Sequence, residues 1–307
     1  MNFSNNYLRI FKAIFFLTLL LAVGNLDAKT LIMTHCYNRP EFIGWQAQSF
    51  HKFLKEDYEF IVFNDAPNLQ LRNEAAASCR QHNVPCVLVP QSIHQKPYYL
   101  AREPGVGGAS AECAETVQYM LNTMGFDYPG IVVVIDSDMF LVRPFSIVDY
   151  LQDNQLAAHP QVRYGKHGAI HYFLPNLMFF NMNTLPDKKT LSFNLGKIDG
   201  EMVDTGGHTY YYLKNHPYLK WEGTTLQPRA LNEKQTHLEA SILKHIQSYP
   251  KLHYLVTKLP HDMEFYIDYA FLHFKAGSNW NQIDNEKMKE KTRAAYEVME
   301  ELILTNN

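Results

Sequence analysis

Four apolar runs in the first half of the chain, each stopping abruptly at a polar or turn-forming segment, constrain the fold more than any other feature. TLIMTH (30–35) stops at CYNRP, YEFIVFND (58–65) on an aspartate, VPCVLVP (84–90) on a proline, and IVVVI (131–135) on Asp136-Ser137-Asp138. The last run is apolar at every position, the pattern of a strand covered on both faces. Between the runs the spacing turns helical. Pro40 is suited to open a helix, and Phe42, Trp45, Phe50, Phe53 and Leu54 recur at roughly helical intervals after it. Residues 69–82 read as a second helix. Residues 107–124 read as a third, with Cys113, Val117, Met120, Leu121 and Met124 on one face. This alternation predicts an α/β fold, a mostly parallel central sheet with helices on both faces and a Rossmann-like N-terminal half. Ligands of such sheets bind beyond the carboxyl ends of the strands. Cys36–Arg39, Asn64-Asp65, the segment from Gln91 and Asp136–Asp138 should therefore share one rim.

Beyond residue 145 the pattern loosens. FLPNLMFFNM (173–182) reads as another buried strand, 201–214 as a loop feeding a helix, and 232–249 as an amphipathic helix. A last apolar run at 261–280 precedes a polar helix at 285–304. No linker or repeat interrupts the sequence, so one domain is expected over 29–284, closed by a C-terminal helix at 285–307.

The chain has 307 residues and a formal charge of -3, which gives no electrostatic ground for binding nucleic acid or an anionic membrane. The first 28 residues stand apart. Arg9 and Lys12 precede an apolar block from Ala13 to Val23, followed by small residues such as Gly24 and Ala28. That is the layout of a secretory signal. An uncleaved signal-anchor is the alternative, because extending the block back to Ile10 brings it nearer the ~20 residues of a membrane span. Either sends the chain out of the cytosol. None of Cys36, Cys79, Cys86 and Cys113 has zinc-site spacing. A Cys79–Cys86 disulfide and buried free thiols both remain open.

Two carboxylates one residue apart at a strand end can face one divalent cation. Mg²⁺ and Mn²⁺ take oxygen ligands and usually share one or two carboxylates with substrate phosphates. Without a cation the two charges would repel, and one would tend to keep its proton. A solvated turn, with Asp136 capping the following segment, is the plainer reading.

An apolar strand running into Asp136-Ser137-Asp138, then an apolar-rich segment with Arg143-Pro144, resembles the DxD signature of the GT-A fold glycosyltransferases, enzymes of nucleotide-diphospho-sugars. The resemblance implies a nucleotide-binding half at 29–145 and an acceptor half at 146–284. It implies Mn²⁺ (or Mg²⁺) held against the sugar diphosphate, with Asp138 a direct ligand, Asp136 on the ribose or on the metal through water, and Ser137 among the groups that bind the nucleotide diphosphate. HFKAGSNW (273–280) is similar to a late His-Phe-x-Gly-like motif of several such families. By that match His273 would be a further metal ligand, and Lys275 and Gly277 would meet the diphosphate. Asn279 stands where the fuller motif has a lysine, a departure that touches the role of Lys275. The resemblance also implies that Tyr37 and Arg39 cradle the base, that Asp65 meets the uracil edge, and that Lys96 and Arg102 reach the phosphates. A turn tyrosine and an Asx turn at Asn64-Asp65 are the structural alternatives.

Asp204-Thr205-Gly206-Gly207 is the second informative stretch. The glycines open backbone torsions that let a ligand approach the main chain, and a helix starting near His208 would aim free N–H groups at an anion or a sugar hydroxyl. Asp204 is then placed to bind sugar or to serve as the general base that an inverting enzyme needs. A retaining enzyme would need none. Asn176 and Asn181 are further candidates for sugar hydroxyls. The partners expected are a nucleotide-sugar donor, with UDP the nucleotide this family uses most, and a hydroxyl acceptor. No nucleic acid is expected, and membrane contact only through an N-terminal anchor.

Two other classes compete. Haloacid-dehalogenase-like phosphohydrolases also end an apolar strand on Asp-x-Asp, but Met139 stands where they place Thr or Val, and no later acidic cluster follows. A non-catalytic secreted sugar-binding protein on a transferase scaffold is the third reading.

Overall fold

The computed structural model describes residues 29–95, 108–227, 239–257, 263–275, 277 and 286–304. The N-terminal leader, Lys96, Arg102 and Asn279 lie outside the described residues, and so do the expectations placed on them. Four strands, β1 (Thr30–Cys36), β2 (Tyr58–Asn64), β3 (Cys86–Leu88) and β4 (Ile131–Ile135), run parallel in the order β4-β1-β2-β3. Helices α1 (Pro40–Phe53), α2 (Leu69–Gln81) and α3 (Gly108–Met120) lie between them in sequence. Pro40 opens α1, and the Asn68 side chain caps α2 by accepting the Leu71 N–H. Cys36 pairs with Asn64, Asn64 with Leu88, and Met33 with Val134, so the carboxyl ends share one rim, as the sequence predicts.

After β4 come β5 (Met139–Leu141), α4 (Ile147–Leu151), β6 (Leu156–Gly165), β7 (Gly168–Asn181), β8 (Gly196–Ile198), β9 (Glu201–Val203) and α5 (Thr209–Asn215). Then follow β10 (Trp221–Gly223), α6 (Ala240–Gln247), α7 (Pro250–Thr257), β11 (Glu264–Tyr266), β12 (Phe271–His273) and α8 (Glu286–Leu304). β7 begins five residues before the expected run and lies antiparallel to both β4 and β6. The seven-stranded sheet, β10-β6-β7-β4-β1-β2-β3, is thus mixed but mostly parallel. Pro250 ends the expected helix at 232–249 and starts a new one, because it has no N–H to continue the ladder.

Both faces of the sheet are covered, which is why β4 does not alternate. Val133 and Ile135 join a buried cluster that runs from Ile32 to Leu302, while Val132 and Val134 join a second cluster on the other face. Each such side chain contributes roughly 1.5–3 kcal/mol on burial. The C-terminal helix belongs to the first cluster through Ala295, Val298, Met299 and Leu302. Tyr296 packs edge-on against Trp45 of α1 at 4.6 Å between ring centroids. Glu301 accepts the backbone N–H groups of Lys251 and Leu252, capping α7. No helix among the described residues is long and apolar enough to cross a membrane. The four cysteines are free thiols.

Candidate active site

The chain leaves β4 at Ile135 and reverses at once. The Asp136 N–H donates to the Asn176 carbonyl of β7 (2.9 Å), and the Met139 N–H donates back to the Asp136 carbonyl (3.2 Å). Gln46, buried on α1, locks this turn by donating Nε2 to the carbonyls of Asp136 (2.8 Å) and Met139 (2.9 Å). The Gln46→Ala variant would strip a donor from two carbonyls at once. The expected loss is about 1–3 kcal/mol, read as a lower urea midpoint with an unchanged slope.

β5 then pairs with β12, Met139 opposite His273, and the Phe274 N–H donates to the Asp138 carbonyl at 2.8 Å. This small sheet, β11-β12-β5, carries a histidine from late in the sequence to the end of β4. His273 Nε2 stands 3.2 Å from Asp138 Oδ1 and 3.8 Å from Asp136 Oδ2. One ligand atom from each of the three residues fits within 4.8 Å. His273 and Asp138 are buried, and Asp136 is partly open to the cleft. Across the β11–β12 pair Glu264 lies opposite His273, its Oε2 3.4 Å from Nδ1.

Burial, and then the Asp138 charge, hold the Asp136 carboxyl above the usual carboxylate range. Burial alone would depress His273, but Asp138, Glu264 and Asp136 outweigh it and push the imidazole up to about 10. Two crowded carboxylates and one imidazole form a hard, mixed O/N donor set that a divalent cation satisfies better than protons do. The residues present therefore fit Mn²⁺ or Mg²⁺.

A cleft of about 380 Å³ opens from this point. Asp136, His273, Glu264, Lys275, Asn176 and Asp204 all line it. Asp204 is exposed there, with Oδ1 accepting its neighbour's Thr205 N–H at 2.7 Å. Asn176 donates Nδ2 to the Tyr266 hydroxyl at 2.9 Å. His159, whose Nδ1 meets the Thr224 carbonyl at 3.1 Å, and Gln161 form part of the wall; the sequence did not single them out. Neither did it single out Glu264, although an antiparallel register over 264–273 would have placed it against His273.

Several expected roles look different in three dimensions. Arg39 is buried; it donates Nη1 to the Gly277 carbonyl (2.9 Å), pairs with Glu41 and lies over the Phe42 ring, tying α1 to the turn after β12. Tyr37 is half-buried beside it in sequence, and its hydroxyl is shifted upward by burial and by Glu112 and Asp65. Lys275 is exposed and pairs with Glu264 at 3.1 Å. Gly277 packs on Asp138: a Cβ there would stand 3.0 Å from Asp138 Cβ. Ser137 is buried within the turn. Asn181 pairs with Ile131 at the opposite end of β4, about 13 Å along the strand from the rim, and so does not face the cleft.

Gly206 and Gly207 face protein where a ligand was expected. A Cβ on Gly206 would fall 2.0 Å from the Phe173 carbonyl oxygen, and one on Gly207 would fall 2.1 Å from Val203 Cγ2. The N–H groups of Gly207, Thr209, Tyr210 and Tyr211 donate to the carbonyls of Asp204, Gly206, Gly207 and His208, so α5 does not present them to an anion.

Asp65 also has other partners. Its buried carboxylate accepts from Thr116 Oγ1 (2.6 Å) and meets His94 Nε2 (2.8 Å), while His94 Nδ1 reaches Glu115 (2.8 Å). The Asp65 hydrogen bond, with Glu115 and against burial, pushes His94 up to about 9. Its folded value lies above the ordinary 6.5, so this stabilisation is complete below pH 6.5 and is lost as pH rises through about 9. On the order of 1–3 kcal/mol should disappear across that window. Urea midpoints measured along it should fall for the wild type and fall less steeply for His94→Asn, in which the raised His273 still contributes a slope.

No family model matches the chain, and no curated protein matches it. Solved structures do. The galactosyltransferase LgtC, in complex with donor and acceptor sugar analogs, is 13% identical, covering 87% of this chain and 96% of its own, with a TM-score of 0.41. The mannosyltransferase PcManGT from Pyrobaculum calidifontis, in complex with GDP-Man and Mn²⁺, is 13% identical over 74% of this chain and 63% of its own (TM-score 0.39). The bifunctional WbbM in its apo form is 12% identical over 55% of this chain, which spans about a third of WbbM's length (34%; TM-score 0.35). All three are glycosyltransferases. At such identities no residue's role carries across, and function is read from the site itself.

Proposed function

We propose that the chain is a GT-A glycosyltransferase that uses a divalent cation to move a sugar from a nucleotide-diphosphate sugar to a hydroxyl acceptor. The observation that carries this reading is the convergence of Asp136, Asp138 and His273 on the ligand rim of a mostly parallel sheet, at the wall of a polar cleft. Those three side chains would hold Mn²⁺ or Mg²⁺. When bound, the cation supplies charge stabilisation for the departing diphosphate without a proton transfer. Asp204 lines the same cleft with an exposed carboxylate and is the group available to take a proton from an acceptor hydroxyl, should the transfer invert. Asn176, already holding Tyr266, and Gln161 offer amide groups to sugar hydroxyls. A UDP-sugar is the first donor to test, and an exported location, drawn from the leader at 1–28, belongs to the same reading.

The test is a panel of UDP-, GDP-, ADP- and dTDP-sugars incubated with the purified protein and Mn²⁺, with product nucleotide followed chromatographically. Slow metal-dependent hydrolysis of one donor supports the reading. Metal-dependent release of phosphate from simple monoesters would favour the phosphohydrolase. Binding of free glycans with no nucleotide affinity would favour the sugar-binding protein.

A further inference from the structure

A histidine can turn only one ring nitrogen toward an ion, and whatever holds the other nitrogen decides which one. At His273 the two nitrogens meet different neighbours. Nε2 faces Asp138 (3.2 Å) and Asp136 (3.8 Å), and Nδ1 faces Glu264 Oε2 at 3.4 Å, within ion-pair reach but without a hydrogen bond. Glu264 is itself fixed on several sides. It sits directly opposite His273 in the β11–β12 register, its Oε1 takes Lys275 Nζ at 3.1 Å, and its Oε2 accepts the Tyr266 hydroxyl at 3.1 Å. Tyr266 accepts from Asn176 Nδ2, and the Asn176 carbonyl accepts the Asp136 N–H. The contacts close a ring: Asp136, Asn176, Tyr266, Glu264, His273 and Asp138.

We propose that Glu264 is a positioning residue of the cation site, holding the Nδ1 side of His273 so that Nε2 is presented to the space between Asp136 and Asp138. The inference rests on the metal-dependent reading above and extends it from the three ligands to the carboxylate behind one of them. A carboxylate on the outer nitrogen fixes the tautomer and ring orientation of a ligand histidine and raises its basicity, and its loss typically weakens metal affinity roughly 10–100-fold. Glu264 suits this role because its charge is held in place without occupying the cation's own space: the atoms that converge within 4.8 Å come from the other three residues.

The test uses Mn²⁺ alone, titrated into the full chain and followed by the loss of the free-ion signal in electron paramagnetic resonance. Glu264→Ala should weaken Mn²⁺ binding roughly 10–100-fold. Glu264→Gln keeps an oxygen that can accept from Nδ1–H, and should weaken it less than Ala does. Lys275→Met removes one of the other partners of Glu264 without touching His273, leaves Tyr266 in place, and should weaken binding much less than Glu264→Ala does. With Mg²⁺ bound in place of paramagnetic Mn²⁺, nitrogen-15 spectra of the imidazoles should show His273 carrying its proton on Nδ1 in the wild type and a loss of that preference in Glu264→Ala. Wild-type affinity in Glu264→Ala, or an equal loss in Lys275→Met, would overturn the positioning role while leaving the three-ligand site standing. Absence of Mn²⁺ binding in the wild type would overturn both.

Discussion

Replacing Asp138 by Asn is expected to leave a folded protein that turns over nucleotide-sugar at least about a thousandfold more slowly. The substitution is nearly isosteric, and Gly277 already packs against the Asp138 side chain, so no new space is needed. The contact that ties β5 to β12 uses the Asp138 backbone carbonyl, which the variant keeps. What disappears is one of two charges facing His273 Nε2 and, with it, the strongest oxygen donor available to a cation in that corner. Single-turnover hydrolysis of the donor, compared at saturating Mn²⁺, measures the effect. A rate within tenfold of wild type would remove Asp138 from the machinery.

The second large effect should appear in stability. Gly206 has φ +83, in the left-handed region, and its missing Cβ points at the Phe173 carbonyl oxygen only 2.0 Å away. An alanine there meets both an unfavourable torsion and a backbone atom of β7, which cannot step aside as a flexible side chain would. The torsion costs about 1–2 kcal/mol, and forced separation of the 204–207 loop from β7 should bring the total to about 3 kcal/mol or more. Chemical denaturation of Gly206→Ala reads this directly. Since Asp204 and Thr205 precede this glycine in the cleft wall, the donor KM should rise in whatever fraction remains folded.

The first half of the fold was legible because β1, β2 and β4 are buried on both faces, so that their apolar character survives without alternation. The Asp136-Ser137-Asp138 turn was legible for the same reason, since charge at the end of such a strand stands out. Antiparallel β6 and β7 were harder. The hairpin extends past the sheet, and β6 changes from buried to exposed after Ala158, so no single period runs through it. The three-residue strands β5, β11 and β12 carry no periodicity, yet their register sets Glu264 against His273 and His273 opposite Met139, the residue after Asp138.

Other expected binding residues already have partners inside the protein. Asp65 and Arg39 are charged residues at a strand end, as ligand-binding groups would be, but buried partners elsewhere in the chain claim them: Thr116 and His94 for one, Gly277 for the other. A sequence shows that a charge stands at a rim and is silent about whether protein already answers it. Gly206 and Gly207 illustrate the converse, since the close approach that a glycine allows is here the approach of β7 and Val203.

If Asp136, Asp138 and His273 hold a cation against a nucleotide diphosphate, nucleotide binding depends on that cation. Calorimetric titration of UDP, GDP, CDP and dTDP into the protein, once with Mn²⁺ and once with excess chelator, tests it most directly. The predicted result is saturable binding of one of these nucleotides with Mn²⁺, weakened at least about tenfold by chelation and again by Asp138→Asn. Equal affinity with and without the cation, or no binding of any of the four, would contradict it.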